Sequence, residues 1–357
     1  MRRGCAVLAT SRDPRRTRVA DEPAFVLHRY DWSESSLVLD VFTRHHGRMA
    51  LVAKGAKRPH SNLRPVIMPL QPLQLNFSGD HEVRTLTAAH WLGGHVFPRG
   101  DSLLAGFYLN ELLLKLMARE DPHEHLFDLY AQVVNILASG LEPTLWPLMR
   151  AFELLLLKGL GLLPNLDAQS ANLQPLDPQV LYALLAPLGL VSVEGLGEEE
   201  RARLNLGLKL TPHPAAPWGS AATLLAPGVG LPSLAPQTRA LAQAQAQAQA
   251  QARSLSSGSG SGVGAGGNPS GSALESASGS AGLPTPNTLA GLSGEHWQAL
   301  AWALNSSEPL TATLRVCAEF EAWERASLQT QLRAWLTHHC GGVGLKTRQF
   351  MVDIQAL

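Results

Sequence analysis

Residues 24–58, AFVLHRYDWSESSLVLDVFTRHHGRMALVAKGAKR, constrain the fold more than any other stretch, because they hold three strand-like runs separated by turn residues. Apolar side chains alternate with other residues along each run, which is typical of strands with one buried face. These apolar residues are Phe25 and Leu27, then Leu37, Leu39 and Val41, then Met49 and Leu51. Gly47 and the serine-rich stretch 33–36 supply the turns. The segment therefore predicts a compact β unit.

Two further strand-like runs bring the predicted sheet to five strands. Pro65, Pro69 and Pro72 interrupt the fourth run, which fits an edge or a bulge because proline donates no hydrogen bond to a ladder. Five short strands in a domain of this length suit an OB-fold barrel. The predicted strands are 24–30, 36–43, 47–54, 66–77 and 82–90, in a domain spanning 22–97. The arginine-rich residues 1–21 are predicted to be a disordered extension, with an extra DNA-contacting arm as the alternative.

Positive charges gather in and beside these turns. Two arginines flank the hairpin between the second and third strands, and four cations crowd the next connection with no acid among them. Long side chains at such positions reach outward, and a small barrel with basic rims can hold a phosphate backbone. A run of charge is also the ordinary composition of a solvated face. The predicted DNA-binding cations are Arg44, Arg48, Lys54, Lys57, Arg58 and Arg64.

Four aromatic rings in the barrel are available for stacking on bases, as rings do in OB folds that bind single strands. Trp32 lies in the polar turn YDWSES and is predicted to be an exposed platform, with Tyr30 beside it. Phe42 and Phe77 lie inside strand patterns and are predicted to be core residues.

Charge is segregated along the chain although the net charge is zero. Residues 1–97 hold 14 Lys and Arg against 8 Asp and Glu, a net charge of +6, whereas residues 98–235 hold 8 against 14, a net charge of −6. A basic β domain joined to an acidic helical one indicates that the first meets a polyanion and the second meets protein.

After residue 98 the apolar period changes to that of helices. Asp101 is predicted to cap a helix whose apolar stripe is Leu103, Leu104, Phe107 and Leu114. Further helices are predicted at 124–139 and 144–162, a weaker one around 178–188, and closing helices at 294–304 and 314–340. These segments form the helical domain, divided into 98–235 and 293–357.

Residues 236–292 separate the two parts of the helical domain. Residues 241–252 repeat Ala and Gln, and 254–282 are nearly all Ser, Gly and Ala, so neither tract buries enough apolar surface to offset chain entropy. The chain is therefore predicted to be an α+β multidomain protein, with an OB-fold barrel followed by an all-α domain that a disordered low-complexity insertion interrupts.

Four segments resemble, in the same order, the RecO family of bacterial recombination mediators. The first is residues 24–58 together with PLQPLQLNFSGDHEVRTLTAAH, and the others are LLAGFYLNELLLKLM (103–117), RAFELLLLKGLG (150–161) and GGVGLKTRQF (341–350). The resemblance covers most of 22–165 and 294–351. It implies an OB fold and binding of single- and double-stranded DNA. It also implies strand annealing, and action with RecR to load RecA on DNA coated by single-stranded DNA-binding protein.

The resemblance also implies a second protein ligand, the acidic C-terminal tail of the single-stranded DNA-binding protein. Such a tail would be held by a basic residue beside an apolar helical groove. Arg119, Arg150 and Lys158 are the cations near apolar helix faces. Lys346 and Arg348, in the closing segment, either extend the DNA surface or cap the last helix.

No zinc or other cofactor is predicted. Members of the RecO family often carry a four-cysteine zinc site in the helical domain, but the corresponding stretch here, PNLDAQSANLQPLD after Leu163, has no cysteine. His45 and His46, like His338 and His339, are adjacent in the sequence, and adjacent side chains seldom share an ion. No nucleotide-binding or nucleophile motif is present, so the protein is predicted not to be an enzyme.

The cysteines and the apolar runs bear on the cellular location of the protein. Cys5, Cys317 and Cys340 are scattered, which favours a reducing compartment, and no apolar run approaches the roughly 18 residues of a spanning helix. A cytoplasmic, nucleoid-associated protein without membrane contact is expected. The alternatives are an OB-fold adaptor that binds protein but no DNA of its own, and a nuclease or transferase with an unrecognised site.

Overall fold

The computed structural model describes residues 18–94, 96–140, 145–194, 196, 291–342 and 345–347. All of them belong to one structural unit. Most of the predicted extension and of the predicted insertion lies outside the described residues. Residues 291 and 292, which the sequence placed at the end of the insertion, are buried or nearly so and belong to the folded part.

The first part of the chain is a closed barrel of five strands in the order β1-β2-β3-β5-β4. Strands β3 and β5 run parallel, and the other neighbours are antiparallel. The predicted OB-fold barrel is confirmed, and closure leaves it without the free edges of an open sheet. The strands are β1 (Arg18–Asp31), β2 (Leu37–Thr43), β3 (Gly47–Ala53), β4 (Leu73–Ser78) and β5 (Val83–Trp91).

Two strand boundaries differ from the prediction by more than one residue. Strand β1 begins at Arg18, inside the predicted extension, because its first half pairs with β4. Strand β4 begins at Leu73 instead of residue 66, and the proline-rich residues before it form turns and irregular backbone. Proline has no N–H for the ladder, so the continuous ladder of β4 starts after Pro72, and Pro69 forms only an isolated bridge with Val26.

Strands β1 and β2 are buried on both faces where they approach the helices, so the prediction of one buried face was wrong there. Val26, Leu39 and Val41 fill the barrel, whereas Phe25 and Phe42 belong to the helical core. The ring of Phe42 lies 5.3 Å from that of Phe127, and the ring of Phe25 lies 5.0 Å from that of Tyr130. Phe42 and Phe77 are core residues, as predicted.

The helical domain contains six described helices and a small sheet. Its elements are α1 (Gly100–Leu116), α2 (Glu124–Ala138), α3 (Leu145–Gly159), β6 (Leu181–Leu185), β7 (Gly189–Ser192), β8 (Leu292–Ser293), α4 (Gly294–Leu304), α5 (Pro309–Glu319) and α6 (Ala322–His339). Helix α3 is buried over nearly its whole length, as its leucine content predicts. It packs against α2 and α5, so helices from both sides of the insertion share one core.

The sheet replaces the weak helix predicted at 178–188. Strands β6 and β7 form a hairpin, and β6 also pairs with β8, more than a hundred residues later. A short apolar run such as LYALL is compatible with either a helix or a strand. Here it forms a strand, which pairs with the distant β8. The domain is therefore not all-α.

Three other helical predictions were wrong in detail. The closing segment 314–340 is two helices, α5 and α6, separated at Phe320 and Glu321. Asp101 lies in the first turn of α1 and is not its cap, a position held by Arg99. The predicted stripe of α1 includes Phe107, which is 37% exposed, whereas Ala105, Leu109, Leu112 and Leu113 are buried. A helix that is apolar on most sides does not reveal its buried face.

Gly47, at the start of β3, lies against the loop between α1 and α2. Its φ is +68°, and a Cβ there would lie 2.1 Å from the carbonyl oxygen of Asp121. Gly55 has a similar φ of +72°, but a Cβ there would meet only the Arg58 side chain at 3.7 Å. Of these two positions, only position 47 needs glycine for two reasons, the positive φ and the close approach of the Asp121 backbone.

We expect Gly47→Ala to lower the free energy of unfolding by about 1–3 kcal/mol more than Gly55→Ala, measured by urea denaturation. The left-handed backbone costs both variants about 1–2 kcal/mol, and overpacking against the loop adds to the first alone. Equal losses in the two variants would show that the loop yields without cost.

Candidate nucleic-acid interface

The predicted cations fall into two groups that the fold separates. Arg48, on β3, belongs to the first group and is mostly buried. Its guanidinium donates to both carboxylate oxygens of Asp40, at 3.0 and 3.1 Å, and to the carbonyl oxygens of Leu114 and Met117 at the end of α1. Arg119 also pairs with Asp40, at 3.2 Å. The Asp40 carboxylate is only 2% exposed, so the two arginines form an ion cluster around a buried carboxylate between the barrel and the helices.

Arg44 also contacts the helical domain. Its guanidinium hydrogen-bonds both carboxylate oxygens of Asp128, at 3.0 Å each, and pairs with Glu124 at 3.0 Å, so it meets the first turns of α2. The hydrogen bonds from Arg44 lower the pKa of the Asp128 carboxyl below its usual range. Arg44 and Arg48 therefore do not reach outward from the sheet as predicted, because acids of the helical domain and of β2 hold them.

The second group occupies the connection after β3 and remains open to solvent. Lys54, Arg58 and Arg64 are exposed, as is Arg29 at the end of β1. Within the described part of the chain none of these four has a carboxylate at ion-pair distance. Lys57, between them, pairs with Asp31 at 2.7 Å and donates to the Ser33 carbonyl oxygen, which ties this connection to the β1–β2 turn.

Two open grooves cross this connection and share Arg64. One, of about 480 Å³, is lined by Arg29, Asp31, Leu37, Ala56, Lys57 and Arg64. The other, of about 620 Å³, is lined by Pro59, His60, Ser61, Asn62, Arg64 and Pro65. Three cations thus line a concave surface at one end of the barrel, an arrangement that can hold phosphate groups.

Exposed rings lie beside these cations. Trp32 is 70% exposed and Tyr30 is 46% exposed, so neither ring is needed for the core. The ring of His28 contacts that of Tyr30 edge to face, with centroids 4.5 Å apart. Arg29 and His28 were not among the site residues predicted from the sequence. The alternation along β1 placed them on a strand but could not show that both are exposed there among the described elements.

The remaining predicted cations lie in the helical domain. Glu111 of α1 accepts hydrogen bonds from the backbone N–H groups of Lys346 and Thr347, at 2.8 Å each. Burial opposes ionisation of Glu111, but these bonds and that of the Thr347 hydroxyl outweigh it and lower the pKa of Glu111. Lys346 is exposed, and Arg348 lies outside the described residues.

The three cations expected beside a peptide groove differ in accessibility. Arg119 is 39% exposed although it pairs with Asp40. Arg150 is largely buried and pairs with Glu153 at 2.7 Å, and Glu153 also accepts a hydrogen bond from Tyr108. Lys158 donates to the Leu304 carbonyl oxygen and the Asn305 side chain, where it caps α4.

The stretch 164–177, where relatives would carry zinc, is held here by hydrogen bonds. Ser170 donates its N–H to the Leu190 carbonyl oxygen, and its hydroxyl accepts from the Leu190 N–H at 2.8 Å. The Asp177 N–H donates to the Tyr182 hydroxyl at 2.9 Å. In the described ranges no three His, Cys, Asp or Glu side chains gather as metal ligands would. Nor does any helix described there have the length and apolar character to span a membrane.

An OB barrel with unpaired cations and exposed rings, joined to a helical domain, is an architecture suited to binding nucleic acid. Residues 18–95 match the family model described as Recombination protein O N terminal, and residues 99–200 match that described as Recombination protein O C terminal. The chain is 43% identical over 345 residues to the DNA repair protein RecO of Variovorax paradoxus, covering 95% of this chain and 98% of that protein. It is 42% identical over 340 residues, with the same coverage, to the DNA repair proteins RecO of Albidiferax ferrireducens and Polaromonas naphthalenivorans.

The chain therefore belongs to the RecO family of bacterial DNA repair proteins. The resemblance drawn from the four sequence segments is confirmed.

Proposed function

We propose that this protein binds single- and double-stranded DNA and anneals complementary strands without making or breaking covalent bonds. The observation that carries the proposal is the cluster of Lys54, Arg58, Arg64 and Arg29, which have no carboxylate partners in the described structure and lie beside exposed rings. Annealing requires that the charge of two repelling strands is neutralised by contacts loose enough for the strands to exchange. Cations on an open groove meet both requirements.

The proposed interface is smaller than the set of cations predicted from the sequence. Arg44 and Arg48 lie in ion pairs between the barrel and the helices, where a phosphate would have to displace a carboxylate. We therefore assign DNA binding to Lys54, Lys57, Arg58, Arg64 and Trp32, with Arg29 added, and assign Arg44 and Arg48 to docking of the helical domain. Lys346 and Arg348 remain candidates for an extension of this surface.

Family membership supports a proposal about the partners. With RecR, the protein would help RecA to replace single-stranded DNA-binding protein, and the C-terminal tail of that protein would bind the helical domain. Among the three candidate cations for the tail, Arg119 and Lys158 are exposed to an incoming carboxylate, whereas Arg150 is largely buried and paired with Glu153. No cofactor is required for this function.

The test is a strand-annealing assay with complementary oligonucleotides coated by single-stranded DNA-binding protein, together with a salt titration of DNA affinity. We expect faster annealing than without the protein. We also expect affinity to fall as salt rises, since about 0.7 counterions leave for each phosphate neutralised on a single strand. An affinity that is absent or independent of salt would instead favour an adaptor whose partners hold the DNA.

A further inference from the structure

We propose that the ring of Tyr30, supported by His28, is a stacking site for one unpaired base, and that this site makes the barrel prefer single-stranded over duplex DNA. This inference rests on the proposed function and adds the substrate form that the surface selects.

The register places Tyr30 on the outer face of the barrel. Tyr30 pairs with Val38 of β2, and Val38 pairs with Val52 of β3. Directly opposed residues of antiparallel strands lie on the same face, as do residues two apart on one strand. His28, Tyr30, Val38 and Val52 thus form one strip across three strands. Leu39, next to Val38, points into the barrel core instead.

The strip begins where the cover provided by the helical domain ends. His28 pairs in register with Asp40, whose carboxylate is buried beneath Arg48 and Arg119. Two residues further along β1, Tyr30 is 46% exposed, and Val38 and Val52 are only partly buried. A partly apolar surface with an aromatic ring is therefore left open on the outer face of the barrel.

Charge around the strip fits a nucleotide better than a peptide. Lys54 follows β3 two residues after Val52, is exposed and has no carboxylate partner among the described residues. A cation at the end of the strip can neutralise a phosphate that neighbours a stacked base. Asp31, the nearest acid on β1, pairs with Lys57.

Stacking on Tyr30 would use the face of a base and leave its hydrogen-bonding edge free. In a duplex both faces of a base are covered by its neighbours, so only an unpaired base reaches the ring without a cost for unstacking. A strand held in this way still presents its edge to a complementary strand. The site therefore favours single strands and remains compatible with annealing.

The test uses the full chain and compares the Tyr30→Leu variant with the unaltered protein. Binding to a single strand and to a duplex of the same length is measured at one salt concentration. We expect single-strand affinity to fall by about 5- to 140-fold, the range for losing one aromatic stack. Duplex affinity should change by less than about twofold, since electrostatic contacts dominate it. Tyr30→Trp should retain single-strand affinity, because it keeps an aromatic face.

A matched control is Trp91→Leu, which removes a ring of similar exposure, 49%, from the end of β5. It should change neither affinity. As a direct readout, a single strand carrying 2-aminopurine should lose fluorescence on binding the unaltered protein and Tyr30→Trp, but much less on binding Tyr30→Leu.

Three results would overturn the inference: unchanged single-strand affinity in Tyr30→Leu, an equal loss for single strand and duplex, or equal quenching in all variants. Failure of the proposed function is distinguishable from these, because the unaltered protein would then bind neither DNA.

Discussion

Replacing Arg48 by methionine is expected to lower the free energy of unfolding by about 3–5 kcal/mol, the loss seen when one partner of a buried ion pair is removed. The Asp40 carboxylate is almost inaccessible to water and takes two hydrogen bonds from Arg48. Without them Arg119 is the one cation among the described residues that remains to neutralise it, and the carbonyl oxygens of Leu114 and Met117 lose a donor at the end of α1. Urea denaturation of the full chain measures the change.

The control for this experiment is Lys54→Met, which removes an exposed cation without a carboxylate partner in the described structure and should change stability by less than about 0.5 kcal/mol. The double variant Arg48→Met with Asp40→Leu should recover much of the loss, because an apolar pair needs no buried counter-charge. If Arg48→Met unfolds like the control, Arg48 is not essential for docking and could bind DNA after all.

Joint substitution of Lys54, Arg58 and Arg64 by alanine is expected to weaken single-strand binding about a hundredfold at 0.1 M salt. Three phosphates would no longer be neutralised, so the slope of log affinity against log salt should fall by about 2, at 0.7 per phosphate. Stability should be nearly unchanged because these side chains are exposed. Fluorescence anisotropy across a salt series gives both the affinity and the slope.

A matched variant carries the same change in net charge elsewhere, namely Arg18→Ala, Arg99→Ala and Arg315→Ala, all at exposed positions outside the connection after β3. It should retain most of the affinity and nearly all of the slope. Equal losses in the two triple variants would mean that net charge, and not this surface, governs DNA binding.

The candidate interface was predictable in part, and Arg44 and Lys54 illustrate the difference. Both are cations at the end of a strand in a basic segment, and the local sequence does not distinguish them. The acids that distinguish them, Asp128 and Glu124, lie about 80 residues further on and are brought to Arg44 by the docking of α2. Lys54 keeps its charge open to solvent because no helix in the described part of the chain covers that end of the barrel. Pairing across domains leaves no local pattern, so every arginine of the segment looked equally available.

Local periodicity determined most of the elements. Alternation at period two specified the strands of the barrel, since each must keep one row of side chains inside, and apolar spacing near 3.6 specified α1, α2 and α3. The composition of 236–292 predicted an interruption of the helical domain, and its last two residues, 291 and 292, belong to the folded part.

The other features of the fold depend on contacts between residues that are far apart in the chain. The hairpin of β6 and β7 also pairs with β8, which lies about a hundred residues further along the chain, and Phe25 and Phe42 face the helices because the outer side of the barrel is itself a packing surface. The Asp40 cluster likewise needs groups from β2, β3 and the end of α1. Such choices depend on free energies of burial and ion pairing between residues far apart in the chain, which no window of neighbouring residues contains.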